Sequence, residues 1–234
     1  MNINGIRCDI CVAKRLLLGI PVDWDGKESV LKLKDVNYNW RQMEWWSFYF
    51  EYLCRDRLKS DFTIPGDSFG KVKTACFDLK RTINWDLKVK AIKSDDHRSI
   101  LNDKRAIDNS IGKYDAHGFI VALCDVEYDD DNRTFQKWHE ELKGGKSKYE
   151  KEREQRTIVS RYRKTRAVLQ EILFLLVTPE NRHNLLEYRQ GRNSNGKPRP
   201  TKYMLDFDQV NHFLVCRMLF LPHISDDCDC PLII

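Results

Sequence analysis

Residues 77–92 read FDLKRTINWDLKVKAI, and their period-two alternation decides the fold. From Trp85 onward, Asp86, Lys88 and Lys90 share one face of a strand, while Leu87, Val89 and Ile92 supply apolar packing. Residues 75–80 read as the preceding strand, and 81–84 is short enough to be the turn between the two. This spacing sets Asp78 and Asp86 side by side across a hairpin, where two carboxylates suit one hard, oxygen-seeking cation such as Mg²⁺. Lys88 points at the same spot.

Working outward, residues 118–126, GFIVALCDV, form a continuous apolar run of the kind found in a buried parallel strand. A second such run, EILFLLVT at 171–178, supplies another buried strand, and Thr178-Pro179-Glu180 gives a helix start with proline in its first turn. Upstream, residues 40–54 have the aromatic and apolar density of a helix laid on a sheet, with Glu44 and Glu51 seven apart on one face of it. Residues 100–113 resume helical spacing through Leu101, Ala106, Ile107 and Ile111. The order is helix, strands, helix, strand. A right-handed crossover then carries the 100–113 helix across the sheet beside Asp78 and Asp86. The expected class is α/β, a mixed central sheet flanked by helices. Residues 6–18 have helical spacing, but nothing in the first 37 residues points to a role.

The chain has 234 residues, enough to bury a full core. With no internal repeat and no convincing linker, one domain spanning 1–234 is the economical reading. No stretch approaches the roughly 20 apolar residues of a membrane span, and the first residues lack the layout of a secretory leader. A cytosolic protein is expected. The eight cysteines sit largely in apolar runs, where a reduced thiol behaves as a small hydrophobe. Cys8, Cys11, Cys228 and Cys230 have spacings that suit a four-thiolate zinc site, against which they lie at opposite ends of the chain.

Charge is unevenly spread. Residues 141–202 carry 16 Lys+Arg against 7 Asp+Glu, leaving 24 against 28 elsewhere. One basic stretch holds Lys143, Lys146, Lys148, Arg161, Arg163, Lys164 and Arg166; the other holds Arg189, Arg192, Asn193, Asn195, Lys197, Arg199 and Lys202. The second is broken by Gly191, Gly196, Pro198 and Pro200, so it reads as an exposed arm without a regular element. Lys and Arg neutralise phosphates, and Arg, Asn and Gln make two-point contacts with base edges, so such an arm is suited to DNA. A solvated basic loop with no such role is the alternative, and residues 147–157 read equally well as an exposed helix held by ion pairs. Asp125-Val126-Glu127 with Asp129-Asp130-Asp131 reads as a solvated acidic turn. The histidines form no metal-ligand pair and read as structural or DNA-facing. There is no phosphate-binding glycine loop, so no nucleotide cofactor is implied.

Asp78, Asp86-Leu87-Lys88 and the helix, strand, strand, helix, strand order over residues 39–127 together resemble the PD-(D/E)xK nuclease superfamily, and within it a type II restriction endonuclease. The stretches ILNDKRAID at 100–108 and FQKWHEELKGGKSKYE at 135–150 look similar to that group. Two departures stand out: no proline precedes Asp78, and eight residues between the aspartates is a short spacing. Pro65-Gly66-Asp67 is a competing first acidic element. The resemblance implies Mg²⁺-dependent hydrolysis of double-stranded DNA. It implies Asp78, Asp86 and the Leu87 carbonyl as metal ligands, Lys88 orienting water and stabilising charge, and Glu51, or less so Glu44, as an accessory carboxylate. It also implies a homodimer whose two-fold axis matches a palindromic site, in a prokaryotic cytoplasm. A structure-selective repair or junction-resolving nuclease, and a non-catalytic DNA-binding protein whose aspartates pair with Lys80, Lys88 and Lys90, are the rival readings.

Overall fold

The computed structural model describes residues 1–65, 77–93, 97–146, 148–155, 161–192 and 196–220. In chain order the elements are helix α1 (Ile3–Leu17), strand β1 (Asp23–Asp25), helices α2 (Gly26–Asp35) and α3 (Trp45–Leu58), strands β2 (Leu79–Lys80), β3 (Asn84–Ala91) and β4 (Arg98–Asp103), and helix α4 (Lys104–Tyr114). Strand β5 (His117–Tyr128), helices α5 (Thr134–Leu142) and α6 (Lys148–Gln155), and strands β6 (Lys164–Val177), β7 (Leu186–Tyr188), β8 (Lys202–Asp206) and β9 (Leu214–Leu219) complete them.

The protein is mixed α/β, with a mixed central sheet flanked by helices. Among the described residues the sheet runs in the order β1-β6-β5-β3-β2, with β9 also on β6. The apolar run at 118–126 becomes β5, which pairs in parallel with β3 and antiparallel with β6. A parallel pair needs a crossover, and here β4 and α4 supply it. Strand β6 starts seven residues earlier than its apolar run at 171, because its first half is stabilised by pairing with β1 and with the end of β5. β1 and β9 lie end to end along its other edge.

Each face of the sheet carries its own core. On one, Ile6, Ile10, Ala13 and Leu17 form the apolar stripe of α1 and pack with Trp45, Phe50 and Leu58 of α3 against Trp85, Leu87 and Ala91 of β3. On the other, Ile107 and Ile111 of α4, Leu101 of β4 and Tyr203 and Leu205 of β8 pack on Phe119, Val121, Leu173 and Leu175. Each large apolar side chain so buried contributes about 1.5–3 kcal/mol. Alternation along β3 therefore puts Trp85 and Leu87 on the α1/α3 face and Asp86 and Lys88 on the α4 face. The adjoining residue to Trp85 on β5 is Gly118. A Cβ there would lie 2.2 Å from the Trp85 ring, so only glycine lets the indole seat.

Several boundaries differ from the sequence reading. Residues 100–102 extend β4 rather than opening a helix, because β8 supplies a partner from about a hundred residues away. Helix α3 begins at Trp45, after a turn-rich stretch in which Asn39 has a left-handed backbone (φ 41°). Thr178-Pro179 leads to a turn and a short 3-10 helix, Arg182–Asn184, not an α-helix. Ile92 falls past the end of β3 and is exposed, and Ala91 takes the packing position. The described part of the basic arm, 189–192 and 196–202, also carries more regular structure than expected. Strands β4, β8 and β7 form a second, three-stranded sheet, and the arm is the tip of its β7–β8 hairpin. The Arg192–Pro198 bridge and the Arg199 N–H to Gly191 carbonyl bond (3.1 Å) prolong the two-stranded ribbon. Among the described residues no helix is long and apolar enough to cross a membrane.

Candidate metal centre and nucleic-acid interface

The β2–β3 turn is shaped by a side chain from the first helix. Asp9, fully buried on α1, accepts from Arg81 Nη1 (3.0 Å), Thr82 N (2.9 Å), Thr82 Oγ1 (2.8 Å) and Trp85 Nε1 (3.1 Å). A buried carboxylate is tolerated because donors surround it. This clamp fixes the register Leu79↔Trp85 and Lys80↔Asn84, and one further step sets Asp78 opposite Asp86. The role of the first 37 residues, unreadable from the sequence, is in part to hold that turn.

Asp78 Oδ2 accepts the Leu87 N–H at 2.8 Å. The N–H and C=O of one strand residue face the same neighbour, so the Leu87 carbonyl also lies on the β3 edge that faces Asp78. Asp86 is 1% exposed. Its Oδ2 accepts from Asn102 Nδ2 at 2.7 Å and lies 3.3 Å from His117 Nε2, whereas its Oδ1 has no hydrogen-bond partner among the described residues. Burial together with the Asp86 and Glu51 carboxylates pushes Asp78 up to about 7, against the pull of Lys88 and the Leu87 N–H. Burial alone would raise Asp86 as well, but the His117 ring, the Lys88 ammonium and the Asn102 amide outweigh it and hold Asp86 below the usual carboxylate range. The pair thus carries an ionised Asp86 and a Asp78 that surrenders its proton near neutrality.

Glu51 flanks this pair from α3. Its Oε1 accepts from the Tyr38 hydroxyl and from Arg55 Nη1 (3.3 Å), and its charge is felt at Asp78. Burial and Glu51 raise the Tyr38 hydroxyl, which stays a donor. Glu44 is engaged elsewhere: it accepts from the indole of Trp46 (2.8 Å) and pairs with Lys164 (3.4 Å). Asp67 lies outside the described residues, as do residues 75 and 76 of the strand expected over 75–80, of which β2 takes Leu79–Lys80. Among the described residues no three His, Cys, Asp or Glu side chains cluster as one metal site. Mg²⁺ does not require three, since it keeps several waters and takes one or two carboxylates. The two facing carboxylates, the Leu87 carbonyl edge and the buried Asp86 Oδ1, without a hydrogen-bond partner among the described residues, fit such an ion.

The basic residues divide into two groups with different surroundings. Arg163 is 4% exposed and pairs with Glu150 at 3.0 Å, and the largely buried Lys143 side chain pairs with the same carboxylate at 3.4 Å, so both serve an internal ion cluster rather than a surface. Lys164 covers the Trp46 ring. Arg166 is held by Asp23 (2.5 Å) and Glu127 (2.8 Å). Lys146 and Arg161 are exposed. Arg166 pairs with Glu127 on β5, eight residues beyond the Phe119 that adjoins Asp86, so it stands about 26 Å along the sheet from Asp78 and Asp86. The ribbon is rooted closer: Lys202 adjoins Asp103, next to Asn102. Arg189, Arg192, Lys197 and Arg199 on it are exposed. Asn193, Asn195 and the Lys148 side chain lie outside the described residues.

Sequence reasoning missed Asn102, His117 and Asp9, which act through contacts 16 to 76 residues apart. The one available signal for His117 was its place at the head of the apolar run that pairs with β3. The acidic turn is likewise not merely solvated: Asp129, 8% exposed, accepts from Phe135 N and Gln136 N (both 2.9 Å) and caps α5. His139 is structural, its imidazole 2.8 Å from the Trp40 carbonyl and lowered to about 4 chiefly by burial. Cys8 and Cys11 are exposed on α1, and Cys228 and Cys230 lie outside the described residues. Comparison of the chain with protein-family models, with curated proteins and with solved structures gave no match.

Proposed function

We propose that the chain is a Mg²⁺-dependent type II restriction endonuclease of the PD-(D/E)xK kind that cuts double-stranded DNA as a homodimer. The observation that carries this reading is the pairing of Asp78 with a buried Asp86 whose Oδ1 has no hydrogen-bond partner among the described residues, with Lys88 on the same face of β3. Asp78, Asp86 and the Leu87 carbonyl are the residues that hold the ion. When bound, Mg²⁺ supplies charge that polarises the scissile phosphate and makes a water more acidic. Lys88 orients the attacking water and stabilises negative charge as it builds on the phosphate. Glu51, fixed by Tyr38 and Arg55, is an accessory carboxylate beside Asp78. The β7–β8 ribbon contacts DNA, since a major groove admits a two-stranded ribbon. Its exposed arginines favour a sequence reader over a nuclease that recognises only branched structure. A two-fold dimer brings two such sites to a palindrome.

The test is to incubate the purified chain with phage or plasmid DNA in Mg²⁺ and in EDTA, alongside Asp86→Ala. Discrete fragments that need Mg²⁺, and that Asp86→Ala fails to produce while still retarding DNA on a gel, support the reading. Cleavage of branched substrates alone makes it a structure-selective nuclease; retarded but intact DNA at every metal concentration makes it a binding protein. Size-exclusion chromatography that finds a monomer both free and on DNA removes the dimer.

A further inference from the structure

We propose that Asn102 is a positioning residue that ties the Asp86 carboxylate to the β7–β8 ribbon, so that nucleic acid seated on the ribbon tightens the metal site. The inference rests on the metal-dependent reading of Asp78 and Asp86 and adds the route by which DNA binding reaches that pair.

Three observations converge on Asn102. First, β4 carries a bulge. Ile100 pairs with Met204 and Asp103 with Lys202, so Leu101 and Asn102 together face the single residue Tyr203. An extra residue of this kind re-aims a side chain. Here Leu101 enters the core while Asn102 turns to Asp86. Second, the amide has one orientation open to it. Its Oδ1 accepts the Asp103 N–H at 2.7 Å, and a carboxylate can only accept, so Nδ2 must face Asp86 Oδ2. With that oxygen engaged, Oδ1 of Asp86 is the atom left to meet a cation. Third, the two residues after Asn102 are tied to the stems of the ribbon. Asp103 Oδ1 lies 3.0 Å from Lys202 Nζ. The Lys104 N–H bonds the Thr201 carbonyl at 2.9 Å, and its ammonium pairs with Glu187 of β7.

A displacement of the ribbon therefore acts on Asp103 and Lys104, and through the shared backbone on the amide that aims Asp86. The link is reciprocal: if DNA on the ribbon tightens the metal, the metal tightens DNA to the same degree. Groups that orient a metal ligand without touching the metal typically alter affinity 10- to 100-fold, so a single amide at this position is enough to matter.

The experiment titrates Ca²⁺ into the purified full-length chain by calorimetry, alone and with a pool of random-sequence duplex at low salt, for the wild type, Asp86→Ala, Asn102→Ala, Asn102→Ser and Asp103→Ala. Circular dichroism checks that each variant folds. For the wild type, duplex is expected to tighten Ca²⁺ about 5- to 100-fold. Asn102→Ala and Asn102→Ser weaken Ca²⁺ about tenfold or more and abolish the tightening, while their affinity for duplex in EDTA stays within twofold of wild type. Asp103→Ala keeps the Ca²⁺ affinity of the free chain but loses the tightening. Wild-type Ca²⁺ binding that Asp86→Ala removes, with no tightening by duplex or with tightening that survives both Asn102 variants, overturns this inference and leaves the metal reading standing. No Ca²⁺ uptake dependent on Asp86 overturns both.

Discussion

The Asp9 carboxylate on α1 accepts the indole N–H of Trp85 at 3.1 Å, joining the first helix to the residue that precedes Asp86. The same carboxylate holds the β2–β3 turn itself, through Arg81 and Thr82. The relative placement of Asp78 and Asp86 therefore depends on a contact made by a distant part of the chain.

Exchange of Asp9 for Ala leaves the Trp85 indole and the Thr82 amide without their acceptor and is expected to cost about 3 kcal/mol of stability. Arg81 recovers part of its loss because a third of its side chain reaches solvent (32%). Urea unfolding of the variant checks this through its midpoint, with the slope unchanged. A loss under about 1 kcal/mol would show that the turn keeps its register without the clamp.

Stability in EDTA is expected to fall as pH rises from about 5 to 8. Asp78 sits at about 7 in the folded chain, above its ordinary value of 3.8. The folded state therefore binds a proton more tightly than the unfolded one. That advantage is complete below the unfolded value and is lost as pH rises through the folded one. Thermal melts across this range should show the slope in the wild type and a flatter profile in Asp78→Asn. A divalent cation should raise Tm more at pH 8 than at pH 6, since at the higher pH it no longer competes with that proton. Equal slopes in the two proteins would remove Asp78 as the group responsible.

Salt dependence separates the two basic regions. Each phosphate contact contributes about 0.9 to the slope of log K against log salt. Replacing Arg192, Lys197 and Arg199 together by Ala should lower that slope by roughly 2 to 3 in fluorescence anisotropy with duplex DNA. Arg166→Ala should leave it near the wild-type value, because Asp23 and Glu127 already engage its guanidinium. The reverse pattern would move the DNA footprint to the far end of β6.

At Gly118, any side chain collides with Trp85. Gly118→Ala is expected to cost about 1–3 kcal/mol by overpacking, and to weaken divalent-cation binding as well, since β3 must shift with its indole. Denaturation and calorimetric titration of the one variant measure both effects. Destabilisation with unchanged cation affinity would show that Asp86 is insulated from the packing behind it.

The hairpin was legible because its information is local: a short turn, one residue shorter than the 81–84 expected because Asn84 pairs with Lys80, two-residue alternation and the Asp86/Lys88 face lie within one short stretch. The same holds for β5, whose apolar run is set by burial on both faces. Asn102 was not legible, because Leu101 and Asn102 have helical spacing with Ile107 and Ile111, and only pairing with β8 turns them into a bulged strand. The pairing of Arg163 with Glu150 was invisible for a related reason. In the sequence that arginine is one more charge in a basic run, and its burial depends on helix α6 packing back toward the start of β6. His117 read as one of six scattered histidines, and its relation to Asp86 depends on a parallel pairing that brings together residues 31 apart.

Strand β6 follows α3 by about a hundred residues, yet the sheet cannot close without it. Asp23 of β1 meets Arg166 across 143 residues, and Ala167, Leu169, Ile172 and Phe174 supply the floor on which Trp24, Trp45 and Phe50 pack. Closures over such distances are slow to form. Until residues 164–177 join the sheet, Trp24, Trp45 and Phe50 lack that part of their packing and are open to association with other chains. The chain is therefore open to association through a surface that the finished structure conceals.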